Sequence, residues 1–345
     1  MNHQSDHSIN ISGMEYRLER LLAETGTCRV WAAVEEATDR PVAIKAFHTL
    51  SAETMQSIIG EVSLYNDLPE VVCKRFVPFY HHGCWRDGYA FVMARMDTDL
   101  SGVCFGHHRP QILARLWLDI AQALHCLHSN GYLHLDLKPE NILCNYELEH
   151  FYLGDFGTLK ALSAPARTVS SGTPGWMAPE QRFRQLDVAG RQVYTLSITT
   201  DIHAFGLLMY ALITDRLPAT DEGLPFEGGL SQPDIETLQR CLHPLAFEPC
   251  LSQQLSRGIE QCLRRCPDER PTDLSALIRL LTRLNGSPDA AGPVPFRSAK
   301  YPPPSAAIPL MLDSPEGPPA RGDHRGVVML ALLLAASLLS YELMT

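Results

Sequence analysis

The stretch HLDLKPEN, residues 134–141, sets an aspartate and an asparagine five positions apart with a lysine between them. An aspartate (Asp136) can orient a hydroxyl and take its proton, and a lysine (Lys138) can steady a phosphate. The side-chain oxygen of Asn141 is a ligand for a hard divalent cation. GDFG follows at 154–157, with Asp155 fourteen residues after Asn141, and a carboxylate there adds a second metal ligand bridging to phosphate. Upstream, VAIK places Lys45 in an apolar run, and Glu61 lies sixteen residues further on, a candidate ion-pair partner. Alone, Lys45 reads as an ordinary strand lysine and Glu61 as a solvated helix face. Together, a cation, two metal ligands and a positioned carboxylate are the parts needed to move a phosphoryl group to a hydroxyl. The two loop motifs at this spacing are the specific signal.

Those residues need a scaffold, and the hydrophobic pattern supplies one. RVWAAVEEATDRPVAIKAF is two apolar runs around a polar turn at Thr38–Pro41, and WRDGYAFVMA repeats the signal around Asp87–Gly88, so both predict hairpins. Residues 52–68 carry Met55, Ile58, Ile59, Val62 and Tyr65 at helical spacing. From Ile112 the pattern is mainly helical, with ILARLWLDIAQALHCLH and then the more apolar DIHAFGLLMYALIT at 201–214. The expectation is an α+β fold in one domain over 14–285, a small β-rich lobe at about 14–96 before a larger α-helical lobe at about 97–285.

Composition bounds the rest. The chain has 345 residues, 45% hydrophobic, which is ample for a large core. Its net charge of −10 argues against a nucleic-acid partner, which calls for a basic surface. Ten cysteines are scattered; Cys262 and Cys266 are four apart on a predicted helix, but no second pair completes a zinc site. They read as plain thiols in a reducing compartment. The pairs His81–His82 and His107–His108 read as surface polar residues, because adjacent side chains diverge. MNHQSDHSIN at the N-terminus lacks the pattern of a signal peptide.

Residues 286–325 hold ten of the 25 prolines and predict an extended linker. Beyond it, residues 326–341 include GVVMLALLLAASLLSY, uncharged from Val327 to Tyr341, with Arg321 and Arg325 on its N-terminal side. That placement predicts a C-terminal membrane anchor with the preceding domain in the cytoplasm, the alternative being a soluble cytoplasmic protein with an interfacial or free tail.

The motifs taken together resemble the eukaryotic-like Ser/Thr protein kinases, from about Met14 to Leu284. VAIK, a variant catalytic loop, DFG and GTPGWMAPE at 172–180 stand in the family's order. DIHAFG resembles the family's core-helix motif and CPDERPT its closing arginine motif. The resemblance implies a bilobal kinase fold that binds ATP with Mg²⁺ or Mn²⁺ and transfers phosphate to Ser/Thr hydroxyls of protein substrates. It implies Asp136 and Lys138 as catalytic, with Asn141 and Asp155 as metal ligands. Lys45 would lie on the phosphates, braced by Glu61. Val30, Ala43 and Leu143 would enclose adenine, with Met93 as gatekeeper and Ala94 to Met96 as hinge. Asp201 would brace the catalytic loop, Arg270 would pair with Glu180, and Thr173 would contact Asp136 and Lys138.

Three departures stand out. Aligning Val30 with the last position of the family's glycine-rich loop puts Ala23, Thr25 and Cys28 where glycines belong, with Gly26 one position off. Glycines let a backbone approach phosphates closely, so the loop predicts a weaker nucleotide grip with the chemistry intact. Leu135 replaces the arginine that reads a phosphate on the activation segment, which predicts altered regulation and an unaltered reaction. The span from Glu180 to Asp201 is longer than the family pattern, an apparent insert. The degraded loop leaves a second reading open, a pseudokinase serving as a nucleotide-binding or scaffolding module.

Overall fold

Alternation of apolar and polar residues in the first ninety positions produces one six-stranded antiparallel sheet. In this computed structural model, residues 8–67, 74–86, 88–104, 109–163, 172–186, 189–218, 226, 228–245, 248–286 and 297–298 are described. The sheet comprises β1 (Ser8–Ile11), β2 (Met14–Glu24), β3 (Cys28–Glu35), β4 (Arg40–Phe47), β5 (Phe79–Trp85) and β6 (Gly88–Ala94), in the order β1-β2-β3-β4-β6-β5. Helix α1 (Ala52–Asp67) lies between β4 and β5 in the chain. Residues of this sheet and helix form the first of two compact units; the second takes in Asp97–Tyr301, with the stretch ending at Phe76.

Register decides which side chains share a face. Val30 is opposite Lys45, Lys45 opposite Phe91, and Ala43 opposite Met93. Directly paired residues point the same way, so Val30, Ala43, Lys45 and Met93 share one face. That face packs on α1 through Cys28, Phe47, Ile58, Val62, Tyr89 and Phe91. The opposite face buries Val42, Ile44, Ala46, Ala90 and Val92 against Ile9, Ile11 and Tyr16. Strand β1 lies ahead of Met14, the expected start of the domain. It pairs with β2, while the Ile11 carbonyl bonds His81 Nε2 at 3.0 Å, tying β1 to β5 on the far side of the sheet.

In the second unit long helices accompany several short strands. Strands β7 (Thr98–Asp99), β10 (Ile142–Cys144) and β11 (Phe151–Leu153) form one small sheet. The two-residue strands β8 (Val103–Cys104) and β15 (Arg297–Ser298) pair with each other, as do β9 (Tyr132–Leu133) and β12 (Lys160–Ala161). The helices are α2 (Arg109–Ser129), α3 (Pro179–Arg182), α4 (Ile198–Thr214), α5 (Gln232–Leu242), α6 (Pro249–Cys262) and α7 (Ser275–Asn285). Helix α4 is buried along nearly its whole length, in keeping with its all-round apolar sequence. It crosses α6 so closely that a Cβ on Gly206 would sit 2.6 Å from Cys262 Cβ. Within the apparent insert, β13 (Gln185–Leu186) and β14 (Gln192–Val193) form a small hairpin.

Several expectations are corrected. His81 and His82 are structural and half-buried: His81 bonds the Tyr16 hydroxyl and the Ile11 carbonyl, and His82 bonds Tyr89 and stacks on Phe79. Burial pushes both imidazoles below their ordinary value. Cys266 lies beyond α6, so it does not share a helix with Cys262. His107–His108, Asp87 and the segment 326–341 lie outside the described residues, as does all but Gly286, Arg297 and Ser298 of the proline-rich stretch. Among the described residues, no helix is long and apolar enough to cross a membrane.

Candidate active site

The loop carrying Asp136 is built on a buried carboxylate. Asp201, fully buried in the first turn of α4, accepts hydrogen bonds from the backbone amides of His134 and Leu135, both at 2.8 Å, and from His128 Nε2 at 2.9 Å. Burial alone would raise its pKa, but the His128 bond and the other donors outweigh it and hold the carboxyl below its ordinary value. His134 is a second strut: Nε2 donates to the Gly154 carbonyl at 3.1 Å, and Nδ1 accepts the Asp136 amide at 3.3 Å. That pattern defines the tautomer, with the proton on Nε2.

Asp136 itself is gripped by three side chains. One carboxylate oxygen accepts the Thr173 hydroxyl at 2.7 Å; the other accepts Lys138 Nζ at 2.9 Å and Asn141 Nδ2 at 3.2 Å. Lys138 also donates to the Thr173 oxygen at 2.6 Å, closing a triangle. With its amide nitrogen spent on Asp136, Asn141 keeps its side-chain oxygen as a ligand atom. The Asn141 carbonyl accepts the Gly154 amide at 2.9 Å, which ties the start of the β10–β11 hairpin to the residue before Asp155. Asp155 is exposed and sits in the left-handed region at φ 54°. Amide and carboxylate oxygens are the hard donors that Mg²⁺ or Mn²⁺ takes, so this pair fits such an ion.

The first unit holds the remaining charged residues. Lys45, on the face it shares with Val30, Ala43 and Met93, donates to Glu61 at 3.2 Å; Glu61 is only 1% exposed. Glu61 is thus a buried ion-pair partner on α1. Ala94, one position after Met93, points to the other face of β6, and its amide donates to the Pro78 carbonyl at 2.8 Å. Met96 closes this unit's run of chain and is half-buried; Leu143, in β10 of the second unit, pairs with Tyr152 and Asp99.

Residues 16–280 match the protein kinase domain family. The chain belongs to that family. It therefore has the two-lobed α+β kinase fold that its sheet-rich and helical units express. It is 32% identical over 282 residues to the serine/threonine-protein kinase Pkn1 of Myxococcus xanthus, covering 79% of this chain and 38% of that protein. It is 34% identical over 170 residues to the serine/threonine-protein kinase PkaA of Streptomyces coelicolor, covering 47% of this chain and 28% of that protein. Against the serine/threonine-protein kinase pkn3 of Myxococcus xanthus it is 27% identical over 313 residues, covering 83% and 52%. The chain thus spans between about a quarter and a half of the length of these relatives.

In this kinase domain the Glu180 carboxylate and Arg270 guanidinium form a buried two-point pair at 2.7 and 2.9 Å, with the Thr200 hydroxyl on Glu180 at 2.9 Å. The degraded loop is the tip between β2 and β3. There the Thr25 amide donates to the Cys28 carbonyl at 2.8 Å, while the amides of Cys28 and Thr27 donate to the Thr25 hydroxyl at 3.1 and 3.4 Å. Three amides at the tip are therefore satisfied by the tip itself.

Sequence reasoning missed three supports. Asp119, in the middle of the apolar helix α2, pairs with Arg75 at 2.6 Å and accepts the Phe151 amide at 3.0 Å, fixing β11 to α2. A lone carboxylate in LWLDIAQAL was the available signal. His134 stood inside the quoted motif, where only its neighbours drew notice. Gln181 bridges Leu135 and Ala178, and nothing in its local sequence marks it.

Proposed function

We propose that this protein transfers the γ-phosphoryl group of ATP to serine or threonine hydroxyls of protein substrates. The observation that carries the proposal is the Asp136 carboxylate, oriented by Lys138, Asn141 and Thr173 and already accepting one hydroxyl at 2.7 Å. A carboxylate so oriented aligns an acceptor hydroxyl and takes its proton as the oxygen attacks. Lys138, bound to the same carboxylate, sets a positive charge where negative charge accumulates on the transferring group. Lys45, its ammonium fixed by Glu61, is the candidate cation for the remaining phosphates. Asn141 and Asp155 would hold Mg²⁺ or Mn²⁺, which when bound neutralises phosphate oxygens. Val30, Ala43 and Met93, with the Ala94–Met96 backbone, are the proposed adenine-binding residues of the first unit, and Leu143 is that of the second. The names of the bacterial relatives support the Ser/Thr assignment.

The test is transfer from labelled ATP to a generic protein acceptor, run beside Asp136→Asn. Wild-type transfer should exceed the variant by at least ~10²-fold, the scale of losing a positioned base, while nucleotide binding survives. Equal labelling of the two would leave a nucleotide-binding scaffold as the reading. We further infer that residues 326–341 anchor the protein at a membrane from the cytoplasmic side, on the strength of their uncharged run after Arg321 and Arg325. Deleting 326–345 should move the protein to the soluble fraction; a full-length protein already soluble without detergent defeats this.

A further inference from the structure

Leu135 leaves this kinase without a charged group at that position to order the activation segment (residues 155–180), yet the C-terminal stretch of that segment, 172–180, is fastened to the catalytic loop. The fastener is Gln181, in α3 and 1% exposed. Its Nε2 donates to the Leu135 carbonyl at 2.8 Å, and its Oε1 accepts the Ala178 amide at 2.8 Å. One primary amide thus joins the peptide just before Asp136 to the end of the segment. The start of the same described stretch, at Gly172, meets the same place. A Cβ on Gly172 would fall 2.9 Å from the Leu135 carbonyl oxygen and 3.0 Å from Gln181 Nε2, and the φ of +124° there is one that L side chains rarely adopt. The backbone at 172 therefore passes directly over the Leu135–Gln181 bond. The next residue, Thr173, then reaches Asp136 and Lys138.

The Leu135 peptide is consequently clamped on both sides, its N–H by Asp201 and its carbonyl by Gln181, with the side chain 3% exposed. Both clamps are permanent features of the chain and neither waits on a modification. We propose that Gln181 is a further positioning residue of this kinase: its neutral amide holds the activation segment against the catalytic loop, in place of an arginine–phosphate contact. This rests on the phosphotransfer reading, because the group being positioned is Asp136. The role calls for a donor and an acceptor in one planar side chain. Glutamate at 181 keeps the acceptor for the Ala178 amide but sets a second oxygen against the Leu135 carbonyl; methionine keeps the bulk and neither bond.

Full-length wild type, Gln181→Glu, Gln181→Met and Asp136→Asn are compared in three measurements. The first is kcat and the ATP KM with a generic protein acceptor, on phosphatase-treated enzyme. The second is thermal melting, and the third is backbone hydrogen exchange over residues 172–180. Both Gln181 variants should lose at least about tenfold in kcat with the ATP KM held within about twofold. They should also exchange faster at 172–178, while melting as one folded protein with α4 still protected. Wild-type kcat in Gln181→Glu, or unchanged exchange at 172–178, overturns the proposal. So does a global loss of fold in both variants, which would make Gln181 a folding residue only. If wild type transfers no more than Asp136→Asn, the phosphotransfer reading fails, and the exchange data alone decide whether Gln181 fastens the segment.

Discussion

At Leu135 the backbone and the side chain serve different ends. The backbone adopts φ +68° and presents its amide to Asp201 and its carbonyl to Gln181, while the side chain only packs. A leucine has no donor for a phosphate, so activity should be insensitive to phosphate on the activation segment. Phosphatase treatment, or alanine at Thr168, Ser170 and Ser171 (outside the described residues), should change kcat/KM by less than ~5-fold, about 1 kcal/mol. A treated enzyme that is nearly inactive and recovers on rephosphorylation would mean that another residue reads the phosphate. Thr173 is the contrast. Its hydroxyl bonds both Asp136 and Lys138, so Thr173→Ala should lower kcat by roughly 10- to 100-fold, the scale of one to two lost charge-assisted bonds.

At the scale of elements, the β2–β3 tip and helix α4 each carry a consequence. Restoring glycine at Ala23, Thr25 and Cys28 should lower the ATP KM, and most of that effect should come from Thr25, whose hydroxyl accepts the Thr27 and Cys28 amides. Cys28 instead packs into the core beside Phe47 and Ile58. Thr25→Gly alone should therefore reduce the ATP KM severalfold while loosening the hairpin by about 0.5–1 kcal/mol; an unchanged KM would show that these amides never meet phosphate. In α4, His203 is fully buried, and neither ring nitrogen has a hydrogen-bond partner among the described residues. Burial, with Arg270 and Arg182 nearby, holds its imidazole well below the ordinary value. The unfolded chain takes up that proton below about pH 6.5 and the folded chain does not, so this contribution is intact above about pH 6.5 and lost as the pH falls. Thermal melts of wild type and His203→Phe across that range should diverge on the acid side, with the variant declining less; parallel curves would rule it out.

The strands and helices were legible because their periodicity is local. The hairpins at Thr38–Pro41 and around Asp87–Gly88, and the helices of 52–68 and 201–214, follow from patterns a few residues long. Asp136, Asn141 and Asp155 stood out for another reason, two loop motifs at an uncommon spacing, whereas Lys45 and Glu61 were only a candidate pair until their 3.2 Å contact brought them together. What stayed hidden depends on partners distant in sequence. His81 looked like surface because nothing in its neighbourhood announces Tyr16 and Ile11, some seventy positions away. Gln181 looked ordinary because its two bonds end on backbone atoms, which carry no residue identity.

For the whole molecule, the strand ahead of the family match has a practical consequence at the bench. The match begins at residue 16, yet Ile9 and Ile11 are 7% and 0% exposed beneath the sheet, and β1 covers the edge of β2. The match ends at residue 280, within α7, whose Leu281 and Leu284 are also buried. A fragment cut at 16–280 would bare one sheet edge and a strip of core at each end, a recipe for edge-to-edge association. Expressed side by side, 16–280 should precipitate or melt several degrees below 8–286, the size of shift that losing about 1–3 kcal/mol gives in a domain of this length. Equal yield and equal melting of the two would show β1 to be an ornament. Anyone choosing boundaries for purification, or for grafting this domain onto another protein, should cut by burial and begin no later than Ser8.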